Sequence, residues 1–258
     1  NPIRARDGQQ WIYDYVLNTS GRAVHYEYDA RDMPKQAKSI RMVSKYLLKE
    51  AQHSEKIARG ADAAGDTLNA RKLYEIAAEN YKEAQHFFIP PTDPKRWEIL
   101  GRAHDCARRA FALADYKIEL VEIPYRDTTI PGVLHLAPGH GEKPTVLFIP
   151  GMDNTKENYP KIDANPFIAR GINLLCIDGP GQGEALMRGI HVHPGDHSVA
   201  ASGAFNFLKK RDDVDENRIG ISGRSFGTYW SLRAAAEDGR FACVAGAVAC
   251  YYWDRIVI

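Results

Sequence analysis

The sequence predicts an α/β fold, a doubly wound and mostly parallel sheet preceded by an α-helical domain. Two observations carry the prediction. From about residue 116 onward, apolar runs of strand length alternate with helical patterns, and alternating βα units build parallel sheets covered by helices. Before that point apolar residues recur at helical spacing instead. The expected division is a helical N-terminal domain over residues 1–115 and a sheet domain over residues 116–258.

The first helix is predicted over residues 34–59, where Ile40, Val43, Tyr46, Leu47 and Ile57 recur at helical spacing. Pro34 suits its first turn, and Gly60 and Gly65 punctuate its end. Asp66 or Thr67 can cap a second helix bearing Leu68, Leu73, Ile76, Ala77 and Tyr81. The segment IPPTDP stops it, because proline lacks an amide donor and clashes with the preceding turn. Asp93 and Pro94 form an N-cap and N1 pair for a third helix reaching about Ala114. Paired helices rich in Ala and Tyr also suit a protein-binding repeat array, but no self-similarity of about 34 residues supports one.

In the second half, KIELVEIPY and IPGVLHLAP read as two strands of an antiparallel hairpin. TVLFIPG and INLLCIDGPGQGE are continuous apolar runs, as expected of strands buried on both faces, and PFIARG between them ends a helix. A helix over residues 196–210 follows. RIGISGRSFG then runs from a strand into a sharp turn, TYWSLRAAAE is the next helix, and FACVAGAVA is one more strand.

Composition narrows the function classes. The chain has 258 residues, 44% of them hydrophobic, enough for a sizeable core. A formal net charge of +1, with acidic and basic residues interspersed, favours neither nucleic acid nor an anionic membrane as a partner. The spacing of Cys106, Cys176, Cys243 and Cys250 matches neither a zinc site nor a disulfide framework. Cys176 and Cys243 lie in apolar runs and read as small core residues, so free thiols and a cytoplasmic location are expected. No apolar stretch is long enough for a transmembrane helix, and the N-terminus lacks the apolar centre of a signal peptide.

The residues that carry chemistry begin with Gly223-Arg224-Ser225-Phe226-Gly227, a G-x-S-x-G pattern between an apolar strand and a helical pattern. In that context Ser225 is a candidate nucleophile, lifted above the sheet by a strained turn. The following helix N-terminus offers amides and a positive dipole end to an oxyanion, making the Phe226 amide one donor. The loop Pro150-Gly151-Met152-Asp153-Asn154 supplies the second, the amide of Met152. The glycines of Asp178-Gly-Pro-Gly-Gln-Gly-Glu184 do not fit a phosphate-binding loop, and no helix clearly starts at their end; a rigid rim to the site is the better reading. His191, His193 and His197 are close in sequence but lack a carboxylate or thiolate partner set, so no metal is expected, and no cofactor either.

A serine nucleophile needs a base and an orienting acid, in the chain order Ser, acid, His. No histidine follows Ser225 in these residues. Two further strands, with the loops that bear acid and histidine, are expected beyond Ile258, and the sheet reads as C-terminally incomplete. Asp238, in a helix-to-strand loop, reads as structural. Asp254 stands after the last strand, a place open to a triad acid, although a surface or pocket-wall role is the plainer one. Phe226, Tyr251, Tyr252 and Trp253 can wall an apolar pocket, and Trp253 and Asp254 are the candidate substrate contacts.

A helical N-terminal region followed by PGMDNTKE, DGPGQGE, GRSFG and YYWD resembles the 2,6-dihydroxypseudooxynicotine hydrolase family of α/β-hydrolases. It is similar, more distantly, to fermentation–respiration switch esterase-like proteins and to prolyl oligopeptidase-type hydrolases. The resemblance covers nearly the whole chain. It implies hydrolysis of a carbon–carbon bond in a β-diketone-like or acyl-aromatic small molecule, with the helical domain as a cap. Ser225 carries over as nucleophile, and Met152 and Phe226 as oxyanion donors; the family's triad acid and histidine have no counterparts in these residues. A carboxylesterase or thioesterase is the alternative within the class, since the same triad does both. A hydrolase-fold binding protein without catalysis is the alternative outside it. The expected partner is a small-molecule substrate, with a homodimer left open.

Overall fold

The computed structural model describes residues 40–86, 93–157 and 160–247. The chain divides into two compact units, one ending at Leu113 and the other starting at Ala114.

The described part of the first unit is three helices, α1 (Ile40–Ala63), α2 (Thr67–His86) and α3 (Pro94–Ala112). α1 does not stop at Gly60. One exposed glycine in a helix costs only about 1 kcal/mol against alanine, and the chain turns instead where Gly65 takes a φ of 77°. Asp66 caps α2, its Oδ1 accepting from the Asn69 amide at 3.2 Å. Asp93 caps α3, accepting from the Lys95 amide at 2.9 Å with proline in the first turn.

The buried faces match the predicted apolar spacing in part. Val43, Leu47, Ala51 and Ala58 are buried on α1, and Ala70, Tyr74, Ala77, Ala78 and Tyr81 on α2, whereas Ile57, Leu68 and Ile76 are exposed. Alanines let helices approach closely, and the tyrosine rings then fill the seam. A buried hydroxyl must find a partner. Tyr74 donates to Asp62 at 3.2 Å and Tyr81 to Glu55 at 2.7 Å. Glu55 also accepts from Arg59 and Arg102, each at 2.6 Å. Burial pushes the Glu55 carboxyl up, but these hydrogen bonds outweigh it and hold the group at about 2.

In the second unit the described strands are β1 (Ile118–Tyr125), β2 (Thr128–His135), β3 (Lys143–Ile149), β4 (Asn173–Ile177), β5 (Val214–Arg224) and β6 (Val244–Ala247). They form one sheet in the order β1-β2-β4-β3-β5-β6. β1 and β2 are the predicted antiparallel hairpin, β2 runs antiparallel to β4, and β4, β3, β5 and β6 are parallel. Three helices complete the described unit: α4 (Gly183–Met187), α5 (Asp196–Leu208) and α6 (Phe226–Glu237).

β4 shows why its sequence is apolar throughout. Leu175 and Ile177 join the main core with Leu147, Ile149, Ala204 and Leu208. Leu174 and Cys176 point to the other face and pack with Phe148. Alternate residues of a strand face opposite ways, so a sheet covered on both sides needs apolar residues at every position.

Three expectations need correction. Where PFIARG was read as ending a helix, the described residues form two short 3-10 turns, Ile162–Ala164 and Ile168–Arg170, closed by Gly171 at φ 70°. A short helix, α4, does start at the end of the glycine-rich loop. Cys243 is exposed, whereas Cys106 and Cys176 are buried free thiols. It enters β6, which among the described strands is bonded on its β5 side only. No helix of the described residues is long and apolar enough to cross a membrane.

Candidate active site

β5 ends at Arg224 and α6 begins at Phe226, so Ser225 alone makes the turn. Its φ is 56° and its ψ −128°. For a residue with a Cβ such a conformation costs of order 1–3 kcal/mol and persists only where the surroundings impose it. The surroundings do so here. The Ser225 amide donates to the Ala247 carbonyl at 3.0 Å, and its own carbonyl accepts from the Thr228 amide at 2.9 Å. The Thr228 hydroxyl lies 2.9 Å from the Gly223 carbonyl oxygen and 2.8 Å from that of Ala247. The flanking glycines are required by close approach. A Cβ on Gly223 would sit 2.2 Å from the Gly227 carbonyl oxygen, and one on Gly227 would sit 2.1 Å from that of Ile149. Ser225 itself is exposed at the C-terminal edge of the parallel strands, where open α/β sheets bind ligands.

The loop leaving β3 reaches the same place. A Cβ on Gly151 would lie 3.2 Å from the Ser225 Cβ. Met152 follows, and Phe226 is the first residue of α6. Met152 and Phe226 line one cleft of about 470 Å³, together with Val192, His193, Tyr229 and Trp230. The structure thus brings Ser225, Met152 and Phe226 together. Trp253 and Asp254, with Tyr251 and Tyr252, lie outside the described residues. Tyr229 and Trp230 were missed in the sequence, although they stand three and four residues after Phe226 and so share its helix face. Trp230 meets the Phe226 ring edge-on at 4.6 Å and stacks on His197 at 3.6 Å.

His197 leaves its sequence neighbours for this stack. Its Nε2 lies 3.1 Å from the Pro180 carbonyl oxygen, which can only accept, so Nε2 carries the proton. Burial pushes the ring down to about 4 and keeps it neutral. His191 and His193 are exposed.

The glycine-rich loop after β4 does more than form a rim. Asp178 is fully buried and accepts from the Lys156 amide at 2.7 Å and from the Glu184 amide at 2.9 Å. The Lys156 ammonium, also buried, lies 3.1 Å from Asp178, 2.6 Å from Glu157 and 2.9 Å from Glu184. Burial alone would push Lys156 down, but the three carboxylates raise it above its ordinary value and keep it charged. One loop residue, Gln182, donates to the carbonyls of Pro150 and Gly151. None of these partners was legible, because a loop residue's contacts lie in distant segments. Asp238 is bound to Arg240 at 2.6 Å and to Ser202 at 2.7 Å.

Known proteins resemble this chain in sequence and in fold. A family model described as Esterase FrsA-like matches residues 10–250. The α/β hydrolase xenA of Xenoacremonium sinensis is 33% identical over 208 residues, 76% of this chain and 48% of its own length. The 20-hydroxy-prefusarin hydrolase FUS2 of Gibberella moniliformis is 33% identical over 207 residues, 76% of this chain and 49% of its own. The chain spans about half the length of the curated relatives it matches. Among solved structures, 2,6-dihydroxy-pseudo-oxynicotine hydrolase aligns with a TM-score of 0.69 at 27% identity, covering 87% of this chain and 61% of that one. AbyA5 aligns with a TM-score of 0.59 at 20% identity, over 93% of this chain and 62% of its own, a likeness of fold.

Proposed function

Because the chain belongs to the FrsA-like esterase family of α/β-hydrolases, we propose that it is the nucleophile-bearing part of a serine hydrolase acting on a small molecule. One observation carries the reading: Ser225 is held at φ 56° between strand and helix by contacts that leave no room for side chains at Gly223 or Gly227. Strain of that kind is kept where it exposes a reacting group. Ser225 Oγ attacks a carbonyl carbon as a general base takes its proton, a role that histidine fills in serine hydrolases. The developing oxyanion is held by the amides of Met152 and Phe226, where one such donor is typically worth about 3 kcal/mol.

The bond cleaved is a carbon–carbon bond of a β-diketone-like or acyl-aromatic substrate. The leaving group then departs as an enolate, is protonated as it goes, and leaves an acyl-serine that water hydrolyses to the acid and free Ser225. The aromatic wall of Phe226, Tyr229 and Trp230 supports a planar, ring-bearing acyl part. The description of the matching family favours ester cleavage as the second reading. Full-length protein offered short p-nitrophenyl esters and aryl β-diketones separates the two. Turnover of diketones is expected, and turnover of esters alone would refute carbon–carbon cleavage. In either case Ser225→Ala should lower turnover at least about 10⁴-fold. A variant that keeps its rate would remove Ser225 from the chemistry.

A further inference from the structure

The peptide joining Gly151 to Met152 carries one of the two oxyanion donors, and its orientation is set from outside its own loop. Gln182 is buried just before α4. Its Nε2 donates to the Pro150 carbonyl at 3.1 Å and to the Gly151 carbonyl at 3.0 Å, while its Oε1 accepts from the Gly179 amide at 3.1 Å. These partners fix the sense of the carboxamide, because two are acceptors only and one a donor only. The Gly151 carbonyl also accepts from the Asn154 amide at 3.1 Å, which occupies its second lone pair.

In a planar trans peptide the C=O and N–H point in opposite directions. Holding the Gly151 carbonyl toward Gln182 therefore turns the Met152 N–H away from Gln182. Gly151 at the same time lies against Ser225. We infer that Gln182 is a positioning residue, whose carboxamide sets the direction of the Met152 amide and through it the strength of oxyanion binding, without touching the substrate. The inference rests on the serine-hydrolase reading above.

The chemistry of the site is selective for this side chain. Glutamate has the same shape and can still accept from Gly179, but as a carboxylate it presents oxygens to two carbonyls. Asparagine keeps the carboxamide and withdraws it by one methylene. Leucine and methionine supply no hydrogen bond at all.

The test uses full-length protein with Gln182→Glu and Gln182→Asn, each checked for an intact fold by thermal unfolding. The rate of labelling by a fluorophosphonate is measured first. Affinity is then measured for an aryl trifluoromethyl ketone, which forms an oxyanion with a serine, and for the corresponding alcohol, which does not. Gln182→Glu should label about 10–100-fold more slowly and lose ketone affinity by a similar factor, with alcohol affinity unchanged within about threefold. Gln182→Asn should fall between it and the parent, and it decides the matter if the Glu variant does not fold. Unchanged labelling in a folded variant overturns the inference. So does equal loss of ketone and alcohol affinity, which marks damage to the cleft as a whole. Ser225→Ala is run alongside: if it still labels at the parent rate, the serine-hydrolase reading fails, whatever Gln182 does.

Discussion

Each unit holds a buried carboxylate at the centre of a charge cluster, and the two clusters have different jobs. In the helical unit Glu55 receives Tyr81, Arg59 and Arg102, side chains from all three described helices or their neighbouring turns. Its arginines are open to solvent, with side chains 53% and 38% exposed. In the sheet unit Asp178 receives the Lys156 amide from a loop, the Glu184 amide from the first turn of α4 and the Lys156 ammonium, and neither Lys156 nor Asp178 reaches water appreciably. The first cluster joins elements that alanine packing already brings together. The second joins two loops that have no ladder of their own. A dry ion pair adds little net stability, because desolvation offsets its attraction, but it is strongly directional and breaks badly. That suits a place where loop geometry matters more than fold.

The sharpest way to break this contrast is to remove the cation from the dry cluster. Lys156→Met keeps the length of the side chain and leaves Asp178 buried without its counter-charge. A loss of about 3–5 kcal/mol in unfolding free energy is expected, with slower fluorophosphonate labelling of Ser225. Denaturant unfolding and labelling on the same sample check both. If stability falls and labelling does not, the cluster is scaffolding and nothing more.

Acid separates the units next. In the sheet unit burial pushes His135 and His197 down to about 4 from an ordinary 6.5. A depressed histidine is neutral in the folded state, so its contribution is complete above pH 6.5 and is lost as pH falls toward 4. Each is worth of order 1–3 kcal/mol over that window. Glu55 is held near 2, below its ordinary 4.5, so its contribution is complete above pH 4.5 and is lost only as pH falls through about 2. Amide protection factors, corrected for the intrinsic rate, should therefore fall between pH 7 and pH 5 in β2 and α5, which carry the two histidines, while α1 and α2 keep theirs. Loss of protection in α1 and α2 first would reverse the assignment.

The smallest expected effect comes from Glu55→Gln, which replaces charge-assisted hydrogen bonds by weaker neutral ones among partly hydrated partners. A cost of about 1–2 kcal/mol is expected, seen as faster exchange in α1 and α2. Fluorophosphonate labelling should stay at the parent rate, and a change would tie the helical cluster to the site.

The sheet was legible in the sequence because most of its strands are apolar runs, and five of the six described strands fall on those runs, whereas β5 starts earlier, at Val214, with a polar stretch before its run. The turn at Ser225 was legible because its demands are local: a glycine on each side, a strand before and a helix after. On α1 and α2 the apolar spacing found Val43, Leu47, Ala77 and Tyr81, which are buried, but spacing alone does not say which large aliphatics face the core. Ile57, Leu68 and Ile76 are exposed, and alanine and tyrosine make the seam. Gly60 was read as a stop although only a left-handed residue, Gly65, makes one there. Gln182 and Lys156 carry no local signal. A glutamine in a loop reads as polar surface until the carbonyls of a segment some thirty residues earlier are seen to lie against it.

The carbonyl of Ala247 receives both the Ser225 amide and a share of the Thr228 hydroxyl. The serine is thus shaped by a strand that is synthesised after it. Chains leave the ribosome in sequence order, and nascent domains fold as their parts emerge. A chain halted before β6 already contains Ser225 and the whole of α6, yet it lacks the acceptor that holds the serine in its left-handed turn.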